Sequence, residues 1–269
     1  MPKKTSIDRP TLDSILAVTR GRVAALQGSV RALEQRAAAA APARPFPGTP
    51  GGLVGVIAEV KRRSPSHGTI RADLDPVTHA QAYVTGGAVA VSVLTDEPHF
   101  GGSLEDLAQV AAALAAPVLR KDFILDELQI VEARGAGASA VLLIARILSR
   151  ERLVALAALT RRLGMATLIE VHAREELDAA LAAGPDAVGV NARDLDTFTV
   201  DLRGAETVIG LVPSTVPVVA ESGIETRQDV ERLATAGADL VLVGTSLARH
   251  ASPAAAVRAL ANVPRVGRD

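Results

Sequence analysis

From Leu53 onward, short apolar runs rich in Val, Leu and Ile alternate with longer Ala-rich stretches whose apolar residues recur every three or four positions. One junction repeats: Gly87-Ala88-Val89-Ala90-Val91, Gly137-Ala138-Ser139-Ala140-Val141, Gly184-Pro185-Asp186-Ala187-Val188 and Gly237-Ala238-Asp239-Leu240-Val241, at spacings of 50, 47 and 53 residues. In each, a Gly ends a helix and a short apolar strand follows after about two residues. A second set of strands lies near Pro117–Arg120, Ala166–Glu170 and Pro217–Glu221, and the run from Leu53 to Val60 opens the series, making eight. The clearest helices between them are Ser103–Ala115, Asp126–Gly135, Ser149–Leu163, Ala173–Ala183 and Thr226–Ala236. Strict strand–helix alternation demands parallel pairing through crossover helices. The pattern therefore predicts an α/β fold, a single (β/α)8 (TIM) barrel. An open doubly wound sheet is the alternative, disfavoured because no G-x-G-x-x-G follows the first strand.

Upstream, Thr11 can cap a first helix that places Leu12, Ile15, Leu16, Val23 and Leu26 on one face and continues towards Ala37–Ala41. The Pro/Gly-rich stretch from Pro42 to Gly52 then reads as a loop. An apolar helix face needs a partner, so the segment is expected to pack on the main body. The expected division is an N-terminal helical extension and linker, 1–52, followed by the barrel, 53–269.

Bulk properties narrow the function. The net charge of −1 gives no electrostatic footprint for nucleic acid, so any anion site must be local. No run reaches membrane-spanning length, and the start, with Lys3 and Lys4, lacks a signal-peptide core. Without Cys, disulfides and thiolate metal sites are excluded. The expectation is a cytoplasmic protein that binds neither membrane nor nucleic acid.

Chemistry gathers where the strands end. There are twenty-five arginines but only four lysines, and the two outside the N-terminal tail, Lys61 and Lys121, both close apolar strand runs. A partly buried lysine can exchange its proton near working pH, which arginine cannot. Glu59 and Lys61 leave their strand on one face, and Pro65 and Gly68 then turn the chain so that Ser64 and Ser66 lie in the loop beyond. In a (β/α)8 barrel the C-terminal strand ends build the active site. Here those ends supply Glu59, Lys61, Thr95, Lys121, Glu170, Asn191, Arg193, Glu221, Ser222, Gly244 and Thr245. The small turns Glu221-Ser222-Gly223-Ile224 and Val243-Gly244-Thr245-Ser246 follow the seventh and eighth strands, the usual phosphate position of this barrel. A phosphorylated small-molecule substrate is expected.

The stretch Glu59-Val60-Lys61-Arg62-Arg63-Ser64-Pro65-Ser66-His67-Gly68 resembles the signature of the indole-3-glycerol-phosphate synthase family of tryptophan biosynthesis. The likeness continues through Leu94-Thr95-Asp96 with Phe100, Leu119-Arg120-Lys121-Asp122-Phe123-Ile124, Leu168-Ile169-Glu170-Val171-His172, Gly189-Val190-Asn191-Ala192-Arg193-Asp194-Leu195, Glu221-Ser222-Gly223-Ile224 and Leu242-Val243-Gly244. The resemblance implies a carbon–carbon lyase that converts 1-(2-carboxyphenylamino)-1-deoxyribulose 5-phosphate to indole-3-glycerol phosphate, CO2 and water, with no metal or organic cofactor. It also implies roles. Lys121 would be the acid at the ribulose carbonyl, Glu170 oriented by Asn191 would carry protons, and Glu59 and Lys61 would complete proton transfer. Arg193 would hold the substrate carboxylate. Ser64, Ser222, Gly223, Gly244 and Thr245 would hold phosphate, and Phe100, Phe123, Leu142 and Leu195 would wall the aromatic ring. Many relatives carry Asn at the position of Ala192, and Glu or Ser at that of Thr245. Arg62, Arg63 and His67 read as rim or salt-bridging residues. Barrels of this kind occur as monomers and dimers, so a monomer or homodimer is expected. Rival expectations are a non-catalytic phosphate-binding paralogue, or a barrel such as phosphoribosylanthranilate isomerase, which resembles this chain less because its catalytic Cys is missing here.

Overall fold

Eight parallel strands close into a barrel: β1 Gly55–Val60, β2 Ala90–Leu94, β3 Val118–Lys121, β4 Ala140–Ile144, β5 Ala166–Val171, β6 Ala187–Asn191, β7 Val218–Glu221 and β8 Leu240–Val243. The computed structural model describes residues 10–47, 51–66 and 68–268. Each strand pairs with its sequence neighbours, and β1 closes the ring on β8 with Gly55 opposite Leu240 and Ala58 opposite Val243. Helices lie outside, among them Leu104–Ala113, Glu127–Gly135, Arg150–Arg162 and Arg227–Thr235, where the sequence predicts them. Helix starts are fixed locally: Ser103, Asp126, Ser149 and Thr226 each accept a backbone N–H of the first turn. Helix stops follow the repeated junction. At Gly87 (φ 103°) the chain turns left-handed, its N–H bonding Val84 O and the next N–H bonding Tyr83 O, which caps the helix before β2.

Alternation along the strands makes two cores. Outward residues such as Val56, Ala58, Val91, Val93, Val141, Leu143, Ile169 and Val171 pack under the helices. Inward residues Ile57, Leu119, Leu142, Leu168, Val219, Leu240 and Leu242 fill the barrel. This filled interior makes the barrel a packed platform, with its working surface at the mouth.

The N-terminal segment forms α1, Leu12–Leu26, and α2, Val30–Ala39, separated by a 3-10 turn at Gln27–Ser29. Thr11 caps α1 as expected. The break is a departure from one continuous helix, and the sequence at it, Gln27-Gly28-Ser29, carries the weak helix formers Gly and Ser. α2 packs on the helix Glu127–Gly135 through Leu33 and Ala37, and Arg134 donates to Ala40 O where α2 ends. Ile15 and Leu16 of α1 join the barrel-interior cluster together with Phe123. Arg22 extends from α1 to Asp122 Oδ2 (2.6 Å) and Asp96 Oδ2 (3.3 Å), which follow β3 and β2. The extra helix thus lies across the barrel mouth.

One further departure concerns the loop after β1. Arg63–Ser64 pairs antiparallel with Gly68–Thr69, a small hairpin where the sequence reading placed only a turn. Arg62, expected at the rim or in a salt bridge, forms one: it donates to Asp106 Oδ2 (2.5 Å) and to Gly101 O (3.1 Å), clamping this loop to its neighbour. His67 and the tail lysines Lys3 and Lys4 lie outside the described residues.

Candidate active site

The same inward alternation that fills the barrel raises a polar layer two residues further along each strand. Above Ile57 stands Glu59, above Leu119 Lys121, above Leu168 Glu170, and above Val219 Glu221. They open into a cavity of about 540 Å³ bounded by the strand-end loops and by Leu12 and Ile15 of α1. Every site residue expected from the sequence lines it: Glu59, Lys61, Ser64, Phe100, Lys121, Phe123, Leu142, Glu170, Asn191, Arg193, Leu195, Ser222, Gly223, Gly244 and Thr245.

At its centre Lys121 Nζ stands 3.3 Å from Glu170 Oε2 and 3.3 Å from Glu221 Oε2. Lys61 Nζ is 2.5 Å from Glu59 Oε1. Asn191 accepts the Arg193 backbone N–H on Oδ1 at 3.0 Å, which turns its amide NH2 to donate towards Glu170. Burial alone would favour a neutral Lys121. Glu221, Glu170 and Glu59 outweigh that and keep the ammonium protonated, its pKa above the ordinary lysine value. Burial alone would also raise Glu170, but Lys121, His172 and Asn191 hold it well below the usual carboxylate range. Glu59 is lowered too, Lys61 and Lys121 overcoming its burial. Glu221 goes the other way. Burial, with repulsion from Glu170 and Glu59, pushes it up to about 8 despite Lys121.

The sequence reading expected the lysines to be tuned towards working pH; the group brought there is Glu221. It stands in the strand-end inventory but not among the expected site residues, because spacing alone does not distinguish a carboxylate that shares an ammonium from one that meets water. The available signal was its position: Glu221 ends Val218-Val219-Ala220 as Glu170 follows Leu168-Ile169.

Around this centre the walls divide by chemistry. Phe100 and Phe123 face each other with ring centroids 6.3 Å apart, and Leu142 and Leu195 extend the apolar side. Arg193 is half-buried and donates to Phe198 O at 3.0 Å, and the nearby Glu59 carboxylate acts on it through charge. Burial depresses its pKa. Opposite, Ser222 (φ 71°) and Gly223 (φ 73°) are consecutive left-handed residues. A side chain on Gly223 would also press on Val200 and Leu202. Ser246 Oγ donates to Ile224 O at 3.1 Å and ties this turn to the one after β8, where a side chain on Gly244 would collide with Glu59 and Lys61. Ser64 is buried, its Oγ 3.3 Å from Ser66 Oγ. Among the described residues no cluster of His, Cys, Asp and Glu is placed to hold a metal ion, and no helix is long and apolar enough to cross a membrane.

Fold and site together define a (β/α)8-barrel enzyme with an acid–base centre at its C-terminal mouth. The chain belongs to the indole-3-glycerol phosphate synthase family, whose sequence model matches residues 12–260. It is 47% identical over 251 residues to the indole-3-glycerol phosphate synthase of Mycobacterium avium (strain 104), covering 91% of this chain and 92% of that one. The enzyme of the same name from Rhodopirellula baltica is 47% identical over 253 residues, covering 93% and 98%. Among solved structures, 3-hexulose-6-phosphate synthase from Salmonella typhimurium superposes with a TM-score of 0.61 at 15% identity, over 77% of this chain and 96% of that one, a likeness of fold alone.

Proposed function

We infer that this protein is a cytoplasmic indole-3-glycerol phosphate synthase. It closes the indole ring of 1-(2-carboxyphenylamino)-1-deoxyribulose 5-phosphate with loss of CO2 and then of water. The observation that carries the reading is one amine, Lys121, 3.3 Å from both the Glu170 and the Glu221 carboxyl at the floor of a cavity with an apolar side. Ring closure needs a proton at the ribulose carbonyl oxygen as the aromatic carbon attacks. Lys121 is held in the acid form for that step. Rearomatisation releases CO2, and dehydration then requires one group to take a proton and another to protonate the departing hydroxyl. Glu170, ionised and oriented by Asn191, serves as the base. Lys61, paired with Glu59, completes the proton traffic and, with Arg193, faces the substrate carboxylate until it leaves.

Phe100, Phe123, Leu142 and Leu195 sandwich the anthranilate ring, which aligns its reacting carbon with the carbonyl. The phosphate is assigned to the turns after β7 and β8, Ser222-Gly223 and Gly244-Thr245, with Ser64 closing from the β1 side. Support comes from the left-handed pair at 222–223, since successive N–H groups of such a turn form an anion cradle. The proposed division is an extension, 1–52, and a catalytic barrel, 53–269, acting as a monomer or homodimer.

The direct test is continuous fluorescence of indole-3-glycerol phosphate formation from the ribulose precursor. The chain has no Trp, so its own emission is low. Saturable turnover is expected. Binding of the precursor without product would leave only the paralogue reading.

A further inference from the structure

One buried histidine is not used by the reaction just described, yet it touches the reaction's base. His172 comes two residues after Glu170, just past the end of β5 at Val171. Its ring is 3% exposed and does not line the cavity, so it cannot meet substrate. Nε2 stands 3.3 Å from Glu170 Oε1, the oxygen turned away from Lys121. Nδ1 stands 3.6 Å from Glu176 Oε2, which also accepts the His172 backbone N–H at 2.7 Å. Glu176 Oε1 in turn accepts from Arg146 Nε at 3.0 Å, and Arg146 Nη1 donates to Asp194 Oδ2 at 3.0 Å. Asp194 Oδ1 gathers the N–H groups of Asp196 and Thr197, shaping the loop that carries Arg193 and Leu195.

We propose that His172 is a positioning residue. As an imidazolium between Glu170 and Glu176, it fixes the orientation and charge of the Glu170 carboxylate from behind the cavity wall, anchored through Arg146 to the Asp194 loop. The proposal rests on Glu170 being the base. Glu170 and His172 are buried while the run opens towards solvent at Arg146 and Asp194, and charges taken out of water in this way are a poor device for stability alone. A run that ends on a cavity carboxylate sets that carboxylate's geometry and proton affinity. The charged groups facing the pair come from every packed element: Lys121 from β3, Glu59 from β1, Glu221 from β7, and Glu176, Arg146, Asp194 and Asp196 from the loops. Burial would discharge the ring, but the two carboxylates outweigh it and push its pKa up to about 9, so the cation persists at working pH.

The test compares His172→Asn, Glu176→Gln and Glu170→Gln in steady-state kinetics across pH, with thermal melts of each. For His172→Asn, kcat is expected to fall about tenfold to a hundredfold with KM within about twofold. The acid limb of kcat should also move up by about one pH unit, because the cation that favours the Glu170 carboxylate is gone. Glu176→Gln should move the limb in the same direction by less. A His172→Asn enzyme with a lowered melting temperature but wild-type kcat and an unmoved limb would make the histidine merely structural and overturn the proposal. If Glu170→Gln is inactive while His172→Asn matches wild type, only the positioning proposal fails. If Glu170→Gln itself turns over normally, the assignment of the base fails, and the positioning role falls with it.

Discussion

Lys121 and Glu221 stand 3.3 Å apart and carry opposite expectations. Replacing Lys121 by Ala removes the acid but leaves the apolar wall and the phosphate turns. Turnover should then drop at least about 100-fold while a substrate analogue still binds, read by single-turnover kinetics and titration. Glu221 holds its proton up to about pH 8. Above that it adds a negative charge to a site that takes a phosphate and a carboxylate, so kcat/KM should decline through a limb near 8, and Glu221→Gln should abolish that limb. The sign for stability is fixed by the same shift. The folded form holds the proton more tightly than the unfolded chain, so this group's contribution is complete below its ordinary value of 4.5 and is lost as pH rises through about 8. At this scale the sequence was legible wherever a polar residue interrupts an apolar strand: Glu59, Lys121, Glu170 and Asn191 all line the cavity. The proton affinities were not legible. They depend on three carboxylates from β1, β5 and β7 crowding one amine, and the order of those distances is set only when the ring closes.

Among the elements, α1 contributes most beyond what the eight repeats provide. Its apolar spacing predicted a helix seeking a partner, and Ile15 and Leu16 find one in the barrel-interior cluster. Val23 and Leu26, placed on the same face by the pattern, stay only half-buried, because beyond Arg22 the helix runs off the mouth towards the turn at Gln27–Ser29. Arg22 was invisible as a contact, since Asp96 and Asp122 lie 74 and 100 residues away. Asp122 also accepts from Thr95 Oγ1 at 2.6 Å and from Arg120 at 3.1 Å, so this buried carboxylate ties α1 to the residue next to Lys121. Arg22→Ala should raise KM more than it lowers kcat, because Leu12 and Ile15 help enclose the ligand. Removing residues 1–41 should do the same to a greater degree, measured by analogue titration and thermal melts.

For the molecule as a whole, the two barrel faces divide the work. Below the strands, Arg268 reaches Asp239 Oδ2 (2.9 Å) and Val216 O (2.7 Å), while Asp239 Oδ2 accepts the Val218 N–H at 2.8 Å. This clasp secures the starts of β7 and β8, far from the cavity. Arg268→Ala should cost about 2 kcal/mol, a charged hydrogen-bond pair, and lower the melting temperature by about 4–8 °C for a chain of this size. Its kcat/KM at 25 °C should be unchanged. The alternating pattern predicted the barrel readily because each βα unit is local. The Arg268 clasp and the α1 strap both join distant stretches, which periodicity does not report.

The seam between β1 and β8 has a consequence for how the chain is made. Gly55 cannot find Leu240 until the chain between them has left the ribosome, and the nascent first strand must wait with an open edge. Pairings this far apart in sequence form slowly. During that interval a buried-in-waiting Glu59 and Lys61, a matched charge pair on the unclosed edge, give water something to solvate and neighbouring chains little to stick to.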